Sequence, residues 1–160
     1  MSANFSKEER VAYGLRYEPI ILPKIQEFLD DRIMKTSYNF SLLDFTGIYT
    51  WSELKVRTSQ YHYTDECMKE GWLIPACKIL KAWQECDAKD VWFFYLWEQD
   101  GSLWAMKFDS TYFTTLVPRI PSWHADKQLH YYVPAERWKK IAELKIDHAL
   151  KRGGCSIQDD

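Results

Sequence analysis

The stretch that decides the fold is residues 40–57, which reads FSLLDFTGIYTWSELKVR. Aromatic and β-branched residues dominate it, and both types favour strands. We predict one strand over residues 38–45 and a second over residues 48–58, with Thr46 and Gly47 as a short turn between them. The segment is therefore predicted to fold as a β-hairpin.

The second strand of this hairpin carries an alternating row of charged residues. Because side chains alternate along a strand, one face should carry Glu53, Lys55 and Arg57, and the other Ser52, Leu54 and Val56. A solvated strand face is the plain alternative, but the apolar flanking residues suit an interior strand better.

Asp44 ends the first strand of the hairpin and can lie beside Glu53. Two carboxylates on interior strands are costly unless a cation neutralises them, and ligation by oxygen atoms suits Mg²⁺ or Mn²⁺. Lys55, two residues beyond Glu53, could then orient or help deprotonate an attacking water. The spacing of these three residues predicts a hydrolytic metal site.

Outside the hairpin, periodicity predicts three helices and a second hairpin. Residues 6–33 begin at a plausible N-cap, Ser6, and the prolines Pro19 and Pro23 predict a kinked helix or two helices meeting near Glu18. Residues 64–86 and 135–151 have helical periodicity. Residues 91–109 predict two strands that turn at Asp100-Gly101, and a short strand is expected at 130–133. We expect one domain over residues 1–160, with a flexible tail at 153–160.

Asp44, an intervening turn and Glu53-x-Lys55 on a strand resemble the signature of the PD-(D/E)XK nuclease superfamily. The segment ELKVRT, followed by a helix rich in Lys and Trp, is similar to small nucleases of phages and large viruses. The resemblance implies an α/β fold with a restriction-endonuclease-like core, in which helices flank a central mixed β-sheet. That core has a helix, three strands, a helix and a further strand, which residues 6–97 can supply.

The resemblance also implies roles for individual residues. Asp44, Glu53 and the backbone carbonyl of Leu54 would bind Mg²⁺, with Mn²⁺ as a substitute, and Lys55 would position the water. Glu18, on the first helix, would join the metal site, and lysines on the helix after the Glu-x-Lys strand would assist it; the candidates are Lys78 and Lys81. The implied activity is hydrolysis of phosphodiester bonds in DNA, with an endonuclease favoured.

Composition bounds these expectations. The net charge of −2 gives no overall attraction to nucleic acid, which counts against a high-affinity, non-specific DNA binder more than against a nuclease. The four Cys show no zinc spacing and are expected to be reduced thiols. The polar N-terminus and the absence of a long apolar run predict no signal peptide and no membrane association. We expect a cytoplasmic protein, in the host cytoplasm if its source is viral.

Two other functions fit the same sequence. A catalytically inactive protein with this fold could serve as a nucleic-acid-binding or protein-interaction module. Alternatively, the aromatic residues, 16% of the chain with eight Trp, could dock a partner or a sugar. A homodimer stays open, because an enzyme with one active site per chain needs two sites to cut both strands of a duplex.

Overall fold

A six-stranded mixed sheet forms the centre of the fold in a computed structural model of the chain. The structure describes residues 7–36, 43–57, 71–121 and 127–146. The helices are α1 (Lys7–Leu29), α2 (Ala76–Glu85) and α3 (Ser110–Phe113), with a 3-10 turn at Ala135–Arg137. The strands are β1 (Ile33–Lys35), β2 (Phe45–Gly47), β3 (Thr50–Arg57), β4 (Trp72–Pro75), β5 (Asp90–Trp97), β6 (Ser102–Lys107), β7 (His130–Val133) and β8 (Lys139–Glu143).

The strand order in the main sheet is β1-β2-β3-β5-β6-β8, and β4 pairs with β7 in a separate two-stranded sheet. Strands β3 and β5 run parallel, whereas all other neighbours are antiparallel. Parallel neighbours need a long crossover, and here it contains α2. The expected succession of a helix, three strands, a helix and a strand is present as α1, β1–β3, α2 and β5, with β4 inserted before α2. The predicted α/β class with a central mixed sheet is confirmed.

Helices cover both faces of this sheet. On one face, α1 buries Tyr17, Ile21 and Ile25 against β3, β5 and β6. On the other face, α2 and the β4–β7 sheet pack on alternate residues of β5: Phe93, Tyr95 and Trp97. A strand that is apolar on both faces is typical of the middle of a covered sheet. Strand β3 nevertheless carries polar side chains, such as that of the buried Glu53, on the face that α2 covers.

The first hairpin is confirmed, but its turn lies two residues later than expected. Thr46 and Gly47 belong to β2, where they pair with β1, and the turn is formed by Ile48 and Tyr49. The Asp31 carboxylate accepts hydrogen bonds from both backbone N–H groups of this turn, at 3.1 and 3.0 Å. The local pattern did not predict strand β1. Because β1 pairs with Thr46 and Gly47, these two residues extend β2 and the turn forms after them. Residues 38–42 of the predicted first strand lie outside the described residues. Of residues 43–45 only Phe45 belongs to β2, and Leu43 and Asp44 form a bend before it.

The two-helix interpretation of the N-terminal segment is wrong, because α1 runs as one helix through Pro19 and Pro23. Both prolines are exposed, while Ile21 and Ile25, four residues apart, are fully buried. Tertiary packing of that apolar face sustains the helix despite the backbone hydrogen bonds that proline cannot make. The proposed N-cap Ser6 lies outside the described residues.

Two further helix predictions need correction. Residues 72–75 form β4 rather than helix, and α2 begins at Ala76; residues 64–70 lie outside the description. Residues 139–143 form β8 on the free edge of β6 instead of the last helix. An unpaired strand edge presents a row of N–H and C=O groups that a neighbouring segment can satisfy, and helical periodicity alone does not reveal that edge. Residues 147–160, including the predicted tail, are outside the described ranges.

The second hairpin, which turns at Asp100 and Gly101, and the short strand at His130–Val133 are confirmed. Within the described ranges, the longest helix is too polar to cross a lipid bilayer, and no other helix qualifies.

Candidate functional site

Strand β3 places three charged side chains on the face of the sheet that α2 covers. In the parallel register, Glu53 lies opposite Phe93 and Lys55 opposite Tyr95. Phe93 and Tyr95 belong to the core under α2, whereas Leu54 belongs to the core under α1. The predicted alternation is confirmed: Glu53, Lys55 and Arg57 share one face.

Glu53 is buried, with only 4% of its surface exposed. One carboxylate oxygen, Oε1, lies 3.0 Å from Nζ of Lys78, which α2 contributes. The other, Oε2, is buried and has no hydrogen-bond partner among the described residues. A buried carboxylate oxygen without a partner is costly. The site therefore has an unused acceptor that a cation or a water could satisfy.

Burial raises the pKa of Glu53 to about 8, and the nearby Asp44 carboxylate acts in the same direction, while Lys78 and Lys55 oppose it. A neutral Glu53 is thus favoured in the protein without a bound cation. A divalent ion placed beside Oε2 would reverse this, because an opposite charge favours the ionised carboxylate.

Asp44 lies against the middle of β3. Its Oδ2 accepts a hydrogen bond of 2.9 Å from the backbone N–H of Leu54, the residue between Glu53 and Lys55. Its backbone carbonyl accepts hydrogen bonds from the N–H and the hydroxyl of Thr36, at 2.9 and 3.1 Å. Strand β2 and the segment after β1 together hold Asp44 next to the Glu-x-Lys sequence.

Lys55 lies in the same polar cluster within an apolar surround. Burial lowers the pKa of Lys55, and the charge of Arg57 lowers it further, whereas Glu53 and Asp44 raise it. Lys55 and Glu53 line a cavity of about 10 Å³, which is about the smallest volume that can hold one water. The cavity walls are formed by Glu53, Lys55, Ile74, Pro75, Phe93, Phe94, Tyr95 and Trp138.

Glu18 of α1 has an ion-pair partner of its own. Lys35 of β1 forms an ion pair with the Glu18 carboxylate. Burial raises the pKa of Glu18, Lys35 opposes this, and the charge of Asp44 raises it again, so Glu18 and Asp44 interact electrostatically. In the portions of the chain that the structure describes, no three His, Cys, Asp or Glu side chains lie close enough together to hold a metal ion.

The two candidate lysines of α2 differ in their surroundings. Lys78 reaches Glu53, whereas Lys81 pairs with Glu85 one turn further along the same helix at 3.0 Å. Arg57 and Tyr95 form part of the site in a way that the sequence did not indicate: the guanidinium Nε donates to the tyrosine hydroxyl at 2.9 Å. Only the parallel register of β3 and β5 brings this tyrosine beside the charged row.

Comparison with known proteins finds a similar solved structure but assigns the chain to no family. No protein-family model and no curated protein matches the sequence. Among solved structures, the chain is similar to D212, a nuclease from a fusselovirus, with 16% sequence identity, 99% of each chain covered and a TM-score of 0.47. At this identity and TM-score we draw no conclusion about this chain from the likeness. The nuclease activity is that of D212.

Proposed function

We propose that this protein is a Mg²⁺-dependent nuclease that hydrolyses phosphodiester bonds in DNA, acting as an endonuclease. The observation that carries the proposal is the buried Glu53 carboxylate, whose Oε2 lacks a hydrogen-bond partner within the described chain. Asp44 lies on the adjoining backbone, and Lys55 shares the face of β3 with Glu53. This combination gives one acid and one amine lining a small cavity, with a second acid, Asp44, on the adjoining backbone.

The donor set fits Mg²⁺, with Mn²⁺ as a substitute. Mg²⁺ is usually bound by one or two carboxylates and several waters rather than by a full protein cage, so Asp44 and Glu53 would suffice. A strand residue presents its N–H and C=O to the same side; the N–H of Leu54 faces Asp44, so its carbonyl is suited to join them. Glu18, paired with Lys35, would contribute through a water. When bound, the ion would supply a Lewis acid and lower the pKa of a bound water.

Side chains of the protein position the attacking water and stabilise charge. Lys55 holds the attacking water by hydrogen bonding and stabilises negative charge on the phosphate. Its pKa, lowered chiefly by burial, makes proton exchange with that water easier than for a solvent-exposed lysine. Lys78, 3.0 Å from Oε1 of Glu53, provides a partner for that oxygen while no metal is bound. The apolar walls, such as Phe93 and Ile74, exclude bulk water and so strengthen these interactions.

Cleavage of a closed circular plasmid with Mg²⁺ tests the proposal, because only an endonuclease can cut DNA that has no ends. We expect Asp44→Asn and Lys55→Ala to lower the rate by about 100-fold or more. The exposed Asp90–Lys107 pair, 3.5 Å apart, provides matched controls. Asp90→Asn and Lys107→Ala should cut at the native rate. Native-rate cleavage by purified Asp44→Asn or Lys55→Ala would exclude these residues from the chemistry.

A non-catalytic binding module is the second candidate, and one observation favours it. Lys78 lies 3.0 Å from one oxygen of the buried acid, so that oxygen has a partner without any metal. Titration calorimetry with Mg²⁺ and Mn²⁺ separates the two functions. The nuclease should bind the ion with heat that Asp44→Asn removes, whereas a binding module should show no such heat.

A further inference from the structure

The guanidinium of Arg57, at the end of β3, is held in one orientation by two neighbours. Its Nε donates to the Tyr95 hydroxyl at 2.9 Å, and that hydroxyl donates in turn to the backbone carbonyl of Leu73 at 2.7 Å. Nη2 lies 3.4 Å from the same carbonyl, and the guanidinium carbon is 5.4 Å from the centre of the Tyr95 ring. These contacts occupy the Nε/Nη2 edge of the guanidinium. No described residue accepts a hydrogen bond from the edge formed by Nη1 and the second N–H of Nη2, and this edge presents two parallel N–H groups to another ligand.

Arg57 has no ion-pair partner among the carboxylates that the structure describes. It is nevertheless half-buried, and a partly desolvated charge is costly when no counter-charge neutralises it. Lys55 and Lys78 add two more cations on this face, against the acids Asp44 and Glu53. Among these described side chains the formal charge is therefore positive, although the whole chain has a net charge of −2.

A phosphate is the anion that this arrangement suits best. A guanidinium with fixed orientation binds phosphate oxygens through two parallel N–H groups, and less rotational freedom is lost on binding because the fork is already oriented. Residues 55 and 57 are neighbours on one face of a strand, about 7 Å apart along the backbone. A phosphate bound at Arg57 would thus lie one step along the nucleic-acid backbone from one bound beside Lys55.

We propose that Arg57 binds a backbone phosphate of the DNA next to the one that is cleaved, and that Tyr95 is its positioning residue. This inference rests on the proposed nuclease function. It assigns to Arg57 the task of setting where the DNA strand lies relative to Glu53 and Lys55.

The test is binding of a short fluorescein-labelled DNA duplex, measured by anisotropy with Ca²⁺ in place of Mg²⁺ at salt concentrations from about 50 to 200 mM. We expect Arg57→Gln to weaken binding by about 10- to 100-fold. The same variant should reduce the slope of log affinity against log salt by about one, as loss of one phosphate contact does. Arg57→Lys keeps the charge without the oriented fork, so it should bind more weakly than the native protein while keeping its salt slope.

Tyr95→Phe separates positioning from contact. It should weaken binding by less than Arg57→Gln and leave the salt slope unchanged, because the charge is still present. Combined with Arg57→Gln it should cause no further loss, since its effect passes through the arginine. Arg32→Gln, on an exposed residue near the opposite end of the hairpin, and Tyr131→Phe, in the same core cluster, are the matched controls and should bind like the native protein.

Each result decides the inference. If Arg57→Gln lowers the melting temperature but binds DNA with the affinity and salt slope of Arg32→Gln, the arginine only ties β3 to β4 and the inference fails. Additive losses for Arg57→Gln and Tyr95→Phe would remove Tyr95 from the positioning role. If Lys55→Ala abolishes plasmid cleavage while Arg57→Gln binds normally, the nuclease proposal stands and this inference alone falls. A native protein that neither binds nor cuts DNA would sink the nuclease proposal itself.

Discussion

Glu53→Gln should stabilise the metal-free protein at neutral pH while removing the proposed nuclease activity. The pKa of the native Glu53 carboxyl is about 8, whereas the ordinary pKa of a glutamate is 4.5, so the carboxyl keeps its proton up to about pH 8. From pH 4.5, where the unfolded carboxyl ionises, to pH 7 is about 2.5 pH units. At roughly 1.4 kcal/mol per unit, the folded protein loses about 3 kcal/mol of stability over this interval. Glutamine has nearly the same shape and carries no charge. The attraction between Glu53 and Lys78 already contributes to this pKa, so it is not subtracted again, and we expect about 3 kcal/mol of stabilisation at pH 7.

The sign of the effect depends on pH. Between about pH 4.5 and 8, the folded protein binds the Glu53 proton and the unfolded chain does not, so the free energy of unfolding falls as pH rises. Below pH 4.5 the carboxyl is protonated in both states, and the native protein and Glu53→Gln should be equally stable. The advantage of the variant should therefore grow from near zero in acid to its maximum above pH 8.

Thermal and urea unfolding in EDTA across this pH range measures the difference. For a chain of this size, each kcal/mol shifts the melting temperature by about 2–4 °C. Glu85→Gln, which removes the partner of Lys81 in a more exposed pair, is the control and should change stability by less than about 0.5 kcal/mol. Adding Mg²⁺ should stabilise the native protein and leave Glu53→Gln unchanged. A variant less stable than the native protein at pH 8, or a difference that does not vary with pH, would refute the reasoning.

Two further predictions concern the frame around the site. Burial would raise the pKa of Asp31, but hydrogen bonds from the Thr50 hydroxyl and the turn amides outweigh it and lower the pKa. Asp31→Asn should therefore lower the free energy of unfolding by about 1–3 kcal/mol at pH 7. In urea unfolding, the difference between the native protein and the variant should shrink as pH falls through the folded pKa of Asp31. A difference that stays constant would contradict this. Gly101 has φ of +70°, and an added Cβ would lie 2.0 Å from the Leu144 carbonyl oxygen. Gly101→Ala should cost about 2 kcal/mol or more, and a melting temperature within about 2 °C of the native value would count against it.

The local sequence was sufficient to predict elements whose pairing partners lie close by in the sequence. Both hairpins were recognised because adjacent strands joined by a short turn carry their own pairing information in alternation and turn residues. The common face of Glu53, Lys55 and Arg57 followed from the two-residue period of a strand. Asp44 beside β3 was expected for the same reason, because a hairpin brings together residues that are ten positions apart.

Elements that depend on distant partners were missed or misassigned. Strand β8 forms because β6 offers a free edge, and β4 forms because β7 pairs with it; both partners are far away in sequence. The continuity of α1 through its prolines depends on how well Ile21 and Ile25 pack on the sheet. Local propensity is a weak force compared with such burial, so tertiary contacts override it.

The sequence by itself determined which residues could carry chemistry and which side of β3 they occupy, because alternation is a property of the backbone. Only the tertiary structure decided what surrounds them. Burial under α2 raises the pKa of Glu53, the helix delivers Lys78 to one of its oxygens, and the parallel register of β5 sets Tyr95 against Arg57. These contacts join segments up to 38 residues apart, and their free energy depends on water being excluded from all of them at once, which no local pattern encodes.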